Sequence, residues 1–177
     1  MTQARKVIVH IATSADGYIA RTDGDIDWLT SRPAPAGFYG MDAFMKSIDT
    51  KVLGRKTYDV SRRMGAKFDS KSRTVVCSRQ PRPNDAPPSV EFTAEPIDAL
   101  VPRLRQNPGK DIWLMGGGDI IASFLDAEAI DEFVISVVPV FIGDGIPLIA
   151  RRHRHVTLSL QSTEKFADGL VQLRYAV

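Results

Sequence analysis

Three short segments place anion-binding residue types directly after apolar runs. The first is Trp113-Leu114-Met115-Gly116-Gly117-Gly118-Asp119-Ile120. A buried-type strand enters three glycines and then a helix. Glycine opens dihedrals closed to other residues and lets a ligand approach the main chain. The helix start adds unpaired N–H groups and the positive end of its dipole, which together suit a phosphate or pyrophosphate. Asp119 either caps that helix or opposes a bound phosphate. The glycines are neither the spaced dinucleotide fingerprint nor a P-loop, because no Gly-Lys-Ser/Thr follows. The second segment is Gly54-Arg55-Lys56-Thr57-Tyr58, after Val52-Leu53. Arg55 can grip a phosphate in bidentate fashion, Lys56 adds point charge, and Thr57 adds a hydroxyl at a helix start. The third is Ser78-Arg79, again just past a strand. Each segment alone reads as a solvated helix start or turn. Three such strand ends in one chain point to one extended polyphosphate ligand, lying beyond the carboxyl ends of an open α/β sheet.

The elements that must hold these segments are legible in the patterning. Strands are expected over Lys6–Thr13, Thr50–Gly54, Arg73–Ser78, Ile112–Met115 and Glu132–Phe141. Thr157–Leu160 and Leu170–Val177 read as a closing antiparallel pair. Helices are expected over Asp42–Ile48, Lys56–Arg63, Ile97–Asn107 and from Ile120 to Leu125. Pro108-Gly109 ends the third of these. Strand–helix alternation with a hairpin-like end predicts an α/β fold with a mixed sheet.

The chain has 177 residues, 44% apolar and 25% charged, which suits one folded domain spanning 1–177. No apolar run approaches the roughly 20 residues that span a bilayer. No small-residue cleavage site follows the N-terminal apolar stretch, so it does not read as a signal peptide. Cys77 is the single cysteine, which excludes an internal disulfide and a cysteine-cluster zinc site. A cytoplasmic protein is the simplest expectation. Lys and Arg number 23 against 21 Asp and Glu, for a net charge of +2, and this balance points to no nucleic-acid or membrane partner. The basic run Arg151-Arg152-His153-Arg154-His155 reads as a solvated turn. His153 and His155 have a spacing that chelates a metal from a strand, but no third ligand stands nearby, so no metal is expected.

Ala12-Thr13-Ser14-Ala15-Asp16-Gly17-Tyr18-Ile19-Ala20, Gly54-Arg55-Lys56-Thr57-Tyr58, Ser78-Arg79 and Gly116-Gly117-Gly118 occur in the order found in the dihydrofolate reductase superfamily, which the chain resembles. The tail from Asp131-Glu132-Phe133 through Pro139-Val140-Phe141-Ile142-Gly143-Asp144-Gly145-Ile146-Pro147-Leu148 looks like the branch holding the reductase domain of bifunctional riboflavin-biosynthesis deaminase-reductases. The resemblance covers about residues 5 to 177. It implies a three-layer α/β fold, a mixed and mainly parallel sheet flanked by helices, with NADPH lying across it. It implies that backbone groups of Ala12 and Ile19 hold the nicotinamide amide. Gly54, Arg55, Lys56 and Thr57 would meet the pyrophosphate and the 2′-phosphate side, and Ser78 and Arg79 would read the 2′-phosphate. Met115, Gly116, Gly117, Gly118, Asp119 and Ile120 would cradle the pyrophosphate. Trp28 matches a tryptophan beside the nicotinamide and substrate; as a bare sequence feature it equally reads as a loop aromatic covering the core.

Folate reductases place one carboxylate on the substrate helix. Asp42, among Phe38, Phe44 and Met45, is the nearest match, expected either as a buried proton carrier with a raised pKa or as a helix cap. The riboflavin-pathway reductases carry an arginine-rich helix that grips a ribose phosphate, whereas Met41–Ile48 here has only Lys46. The fused deaminase motif is absent. The expected activity is NADPH-dependent reduction of a heterocyclic substrate, most like 5-amino-6-(5-phosphoribosylamino)uracil. Dihydrofolate reduction is the alternative, and a nucleotide-binding module without catalysis is a third reading. The resemblance also implies a homodimer paired through late strands; the apolar strand Phe133–Phe141 reads either as an edge or interface strand or as a central buried one.

Overall fold

Short β-branched runs separated by amphipathic helices leave each strand apolar on both faces, and such strands pack as the centre of a layered sheet. The computed structural model describes residues 4–33, 35–68, 72–152 and 154–177. Ala34 of the proline-containing stretch 32–37, and His153 of the basic run, lie outside the described residues. In chain order the elements are β1 (Val7–Ser14), β2 (Tyr18–Ala20), α1 (Asp27–Thr30), α2 (Met41–Ser47), β3 (Ile48–Gly54), α3 (Arg55–Arg63), β4 (Arg73–Cys77) and β5 (Val90–Thr93). They continue as α4 (Ile97–Gln106), β6 (Asp111–Gly116), α5 (Gly118–Asp126), β7 (Glu132–Val138), β8 (Ile146–Pro147), β9 (Ser159–Lys165) and β10 (Val171–Ala176).

Eight strands form one sheet in the order β5-β4-β3-β6-β1-β7-β10-β9. β1, β3, β4, β5, β6 and β7 run parallel. β10 runs antiparallel to β7, and β9 antiparallel to β10. The small ribbon β2–β8 stands apart. Val7, Val9, Val52, Val75, Ile112, Leu114 and Phe133 face α4 and α5 in one core. The alternate residues of the same strands face α2 and α3. Ile8 and Val134 pack on Phe44 of α2, while Leu53 and Val76 pack on Tyr58 of α3. The three expected layers are therefore present.

Arg5 is buried and locks the amino ends of the parallel strands. Its guanidinium donates to Leu104 O at 2.9 Å and Thr50 Oγ1 at 2.7 Å, and pairs with Asp49. The carboxyl ends, where β1, β3, β4 and β6 each run into a glycine or polar loop, are left for the site.

Of the two readings of Phe133–Phe141, the structure has the central strand. β7 is not an edge strand: it lies between β1 and β10 and stops at Val138. Pro139 has no N–H for the ladder and ends it. The edge is β9, whose residues are all exposed.

Candidate active site

Gly54 is the N-cap of α3 and Gly117 the N-cap of α5, and neither helix has a side-chain cap. β3 and β6 are neighbours, so the two helix starts lie side by side. Ile120 and Ile121 N–H both bond to Gly117 O at 3.1 Å, while the first-turn N–H groups of Gly118 and Asp119 have no intrahelical acceptor. A Cβ built on Gly117 would stand 3.3 Å from Thr57 Oγ1 and 3.8 Å from Ile19 Cδ1. A Cβ on Gly54 would stand 3.7 Å from Ile120 Cγ2 and 3.8 Å from Gly116 O. Ile19, Gly54, Thr57, Gly116, Gly117 and Ile120, drawn from three separate segments, thus meet closely at the two helix starts. Met115, one residue before, packs in the core under α3.

Gly118 does something else. Its Cβ would fall 2.5 Å from Pro147 O and 3.3 Å from Ala150 N. The segment 145–150 lies on the start of α5, tied by Ala150 N–H to Gly118 O at 3.1 Å and by Leu148 N–H to Gly17 O at 3.1 Å. Gly118 is bare to admit this strap of the chain's own backbone. Asp119 is not the helix cap: it is exposed in the first turn of α5, one residue past Gly118. A carboxylate there is favoured by the helix dipole.

At the β3–β4 end, Arg55 Nε contacts both oxygens of Asp59 at 3.0 and 3.1 Å, and Nη1 donates to Pro81 O at 3.0 Å. The loop 78–81 is thereby held against α3. Ser78 Oγ accepts from Gln80 N–H at 3.0 Å. Lys56 and Arg79 are exposed. Arg55 and Arg82 both lie over the Phe92 ring, 5.8 and 5.7 Å from its centre. Cationic groups therefore collect beside the carboxyl ends of β3 and β4.

At the β1–β7 end, Trp28 is buried with Tyr39, Val138 and Leu170, and Ala12, Leu29 and Val140 pack against them. Trp28 is thus part of a core, but its indole Nε1–H has no hydrogen-bond partner among the described residues. The loop before α2 takes left-handed backbone at Gly37, Phe38, Tyr39 and Gly40, with φ of 76, 48, 56 and 79°. Two of these are not glycine, a strain that neighbouring contacts must hold. Tyr39 OH donates to Asp168 Oδ2 at 2.6 Å, and Gln172 Nε2 donates to Tyr39 O at 3.2 Å and Ser136 Oγ at 3.0 Å. The hydroxyl of Tyr39 and the guanidinium of Arg32 hold the Asp168 carboxyl down to about 2.

Asp42 is not where a proton carrier was expected. It is exposed in the first turn of α2, whose N-cap is Gly40. Phe44 and Met45 turn to the core instead. Asp42 is neither buried nor the cap. The buried titratable group on that face is His10. Its ring stacks on Phe44 with centres 4.5 Å apart, and Nδ1 has no partner among the described residues. Burial, helped by Arg174, pushes its imidazole down to about 4. Residues the sequence reading passed over are His10, Tyr39, Asp168, Gln172 and the strap 145–150. The Asp16-Gly17 and Gly143-Asp144-Gly145 turns were the only local hints. Asp16 accepts Gly143 N–H at 2.8 Å and so joins the two turns.

A family model, the RibD C-terminal domain, matches residues 5–172. The uncharacterized Bacillus subtilis (strain 168) protein YwjB is 36% identical over 171 residues, covering 97% of both chains. YyaP of the same organism is 31% identical over 184 residues, covering 97% of this chain and 94% of its own. A structure from Shewanella sp. PV-4, named for riboflavin biosynthesis, superposes with a TM-score of 0.82 at 30% identity over 98% of both chains. The Thermotoga maritima diaminohydroxyphosphoribosylaminopyrimidine deaminase/5-amino-6-(5-phosphoribosylamino)uracil reductase superposes with a TM-score of 0.73 at 16% identity, over 98% of this chain and 56% of that one. The shared architecture is the dihydrofolate-reductase-like fold expected from the sequence.

Proposed function

The chain belongs to the RibD C-terminal domain family, and from that premise we propose that it is an NADPH-dependent reductase of a flat nitrogen heterocycle carrying a ribosylamino group. Membership in this family supports a reductase role. The named reaction it most resembles is that of 5-amino-6-(5-phosphoribosylamino)uracil reductase. The carrying observation is the pair of adjacent, glycine-capped helix starts with Thr57 Oγ1 only 3.3 Å from the Cβ position of Gly117. A side chain at Gly117 would crowd Thr57 and screen the N–H groups of the α5 start that a pyrophosphate would approach, so the residues fit the cofactor.

When bound, NADPH supplies a hydride, and the hard chemistry is the cofactor's. The chain's own residues position and exclude. In our reading Gly117 and the first turns of α3 and α5 take the pyrophosphate, while Lys56, Ser78 and Arg79 take the 2′-phosphate. Arg55 orders the 78–81 loop through Pro81 O. Main-chain groups of Ala12 and Ile19 orient the carboxamide. Trp28 and Tyr39 wall the substrate side and keep water out. Reduction of an open-chain ribosyl imine adds hydride at carbon and a proton at nitrogen. No buried carboxylate stands on α2 to give that proton, which disfavours dihydrofolate as substrate and leaves solvent as the proton source. The same observation favours the second reading, a nucleotide-binding module without catalysis; substrate-dependent NADPH oxidation separates the two.

No helix among the described residues is long and apolar enough to cross a membrane. We further propose a cytoplasmic location and a homodimer formed through the late strands. The deciding experiment is titration of the protein with NADPH and NADH, followed by cofactor fluorescence, beside Arg55→Ala. NADPH should bind at least about tenfold more tightly than NADH, and the variant should lose about tenfold, the scale of one charge-assisted contact. Failure to bind either dinucleotide would sink the proposal.

A further inference from the structure

Asp168 lies in the turn between β9 and β10, away from the cofactor surface. Three kinds of donor converge on its carboxylate. Arg32 Nη2 lies 2.8 Å from Oδ2, Tyr39 OH donates to Oδ2 at 2.6 Å, and Leu170 N–H donates to Oδ1 at 3.2 Å. Arg32 Nη2 also donates to Asp168 O at 2.9 Å, and Arg32 Nε is buried without a partner among the described residues. A guanidinium, a hydroxyl and a main-chain N–H are the donor set that holds a phosphate monoester. Here the chain's own carboxylate fills it. Tyr39 carries the cluster directly to Trp28 and Val138, which the reductase proposal makes the wall of the substrate side.

Two further arginines are paired, and Lys46 stands elsewhere. Arg21 pairs with Asp27 at 2.7 Å and Arg174 with Glu132 at 2.8 Å. Lys46 sits in the last turn of α2, where its carbonyl takes Lys110 Nζ at 2.7 Å, beside the start of β6 and at the far end of the sheet from the glycine loop. The buried groups left without partners among the described residues include two uncharged ones, Trp28 Nε1 and His10 Nδ1. They add no positive charge for a phosphate to meet.

We infer that Asp168 is a specificity-determining residue that occupies an internal anion site, so that the substrate carries no phosphate on its ribosyl side. The inference rests on the reductase proposal and narrows its substrate class. Discrimination is by exclusion: a phosphate approaching this wall meets a carboxylate and no free guanidinium.

Two measurements on the whole protein test it. The first titrates inorganic phosphate into wild type, Asp168→Ala and Asp168→Ala/Arg32→Ala, each saturated with NADP+. Asp168→Ala should bind phosphate at least about tenfold more tightly than wild type, and the double variant should lose that gain. NADP+ binding by each variant shows that it is folded, and Asp168→Asn replaces the alanine variant if the latter is not. The second compares NADPH oxidation with 5-amino-6-(5-phosphoribosylamino)uracil and with its phosphatase-treated form. Wild type should prefer the phosphate-free form at least about tenfold in kcat/KM, the scale of one lost charged contact, and Asp168→Ala should narrow that ratio. A wild-type preference for the phosphorylated form, or no gain of phosphate affinity in Asp168→Ala, overturns the inference. If both uracils are inert, that substrate falls from the reductase proposal, and the phosphate titration alone decides the present one.

Discussion

His10 is the residue whose environment most directly predicts a pH response. Its ring is buried against Phe44, and burial lowers its imidazole to about 4, against about 6.5 in an unfolded chain. Between those values the unfolded state takes up a proton that the folded state refuses. Stability from this group is therefore full above pH 6.5 and is lost as pH falls towards 4, by up to about 3 kcal/mol. His10→Phe keeps an aromatic stack and removes the titration. Its urea midpoint should fall less steeply than that of wild type between pH 6.5 and 4; equal slopes would mean that His10 does not carry the effect. Asp42 makes the opposite case. Because it is exposed, Asp42→Asn should change kcat by less than about twofold, whereas loss of a general acid costs a hundredfold or more. The sequence showed Asp42 among Phe38, Phe44 and Met45 but not which way each turns. The period of a seven-residue helix leaves that to tertiary packing, and packing chose Phe44 for the core. Arg32, Tyr39 and Asp168 were illegible for a different reason: no local pattern links residues 129 to 136 positions apart.

The glycine loop shows how one motif serves two elements. Gly117 opens the space beside Thr57, while Gly118 seats the strap 145–150. Gly117→Ala should therefore fold with near wild-type stability and lose NADPH affinity, since its methyl meets only Thr57 Oγ1 and Ile19 Cδ1 at 3.3 and 3.8 Å. Gly118→Ala places its methyl 2.5 Å from Pro147 O, and such overpacking costs about 1–3 kcal/mol. Chemical denaturation of both variants, set beside NADPH titration, checks the division. A stable Gly118→Ala would show that the strap yields. The strand–glycine–helix motif was readable because its parts are adjacent in sequence, and β1, β3, β4 and β6 were found to within about two residues. β7 stops three residues short of its expected end, and β2, β5, β8 and the polar part of β9 were not found. A three-residue strand, a two-residue strand and Gln161-Ser162-Thr163-Glu164-Lys165 present no apolar alternation, and only their partners make them strands.

The whole molecule is finished on one side and unfinished on the other. β5 closes one edge with four residues, of which Val90 is buried and the rest half-buried. β9 closes the other with all seven residues exposed, although its neighbour β10 is largely half-buried. Just before and within it, Val156, Leu158 and Leu160 are 40, 36 and 55% exposed. They stand beside a cleft lined by Leu125, Phe133, Ile135 and Leu148, with Arg152 and Arg154 at its rim on Asp126. Monomers blunt an edge strand with prolines, bulges or inward charges. β9 has no proline, its ladder with β10 is irregular at Gln161, and its charges Glu164 and Lys165 lie together at one end, so Val156, Leu158 and Leu160 are left uncovered. Exposed apolar residues continuous with an apolar cleft are the pattern of a surface that is covered in the working assembly. A second copy supplies the same apolar residues across a two-fold axis. The protein should therefore travel as a dimer of its 19.5 kDa chain in light scattering. Leu160→Lys should shift it to monomer while NADPH binding persists, because the residues proposed to hold the cofactor, at the ends of β3, β4 and β6, lie across the sheet from β9. A monomeric wild type would remove the homodimer from the proposal. Retained dimers in Leu160→Lys would place the contact on another surface.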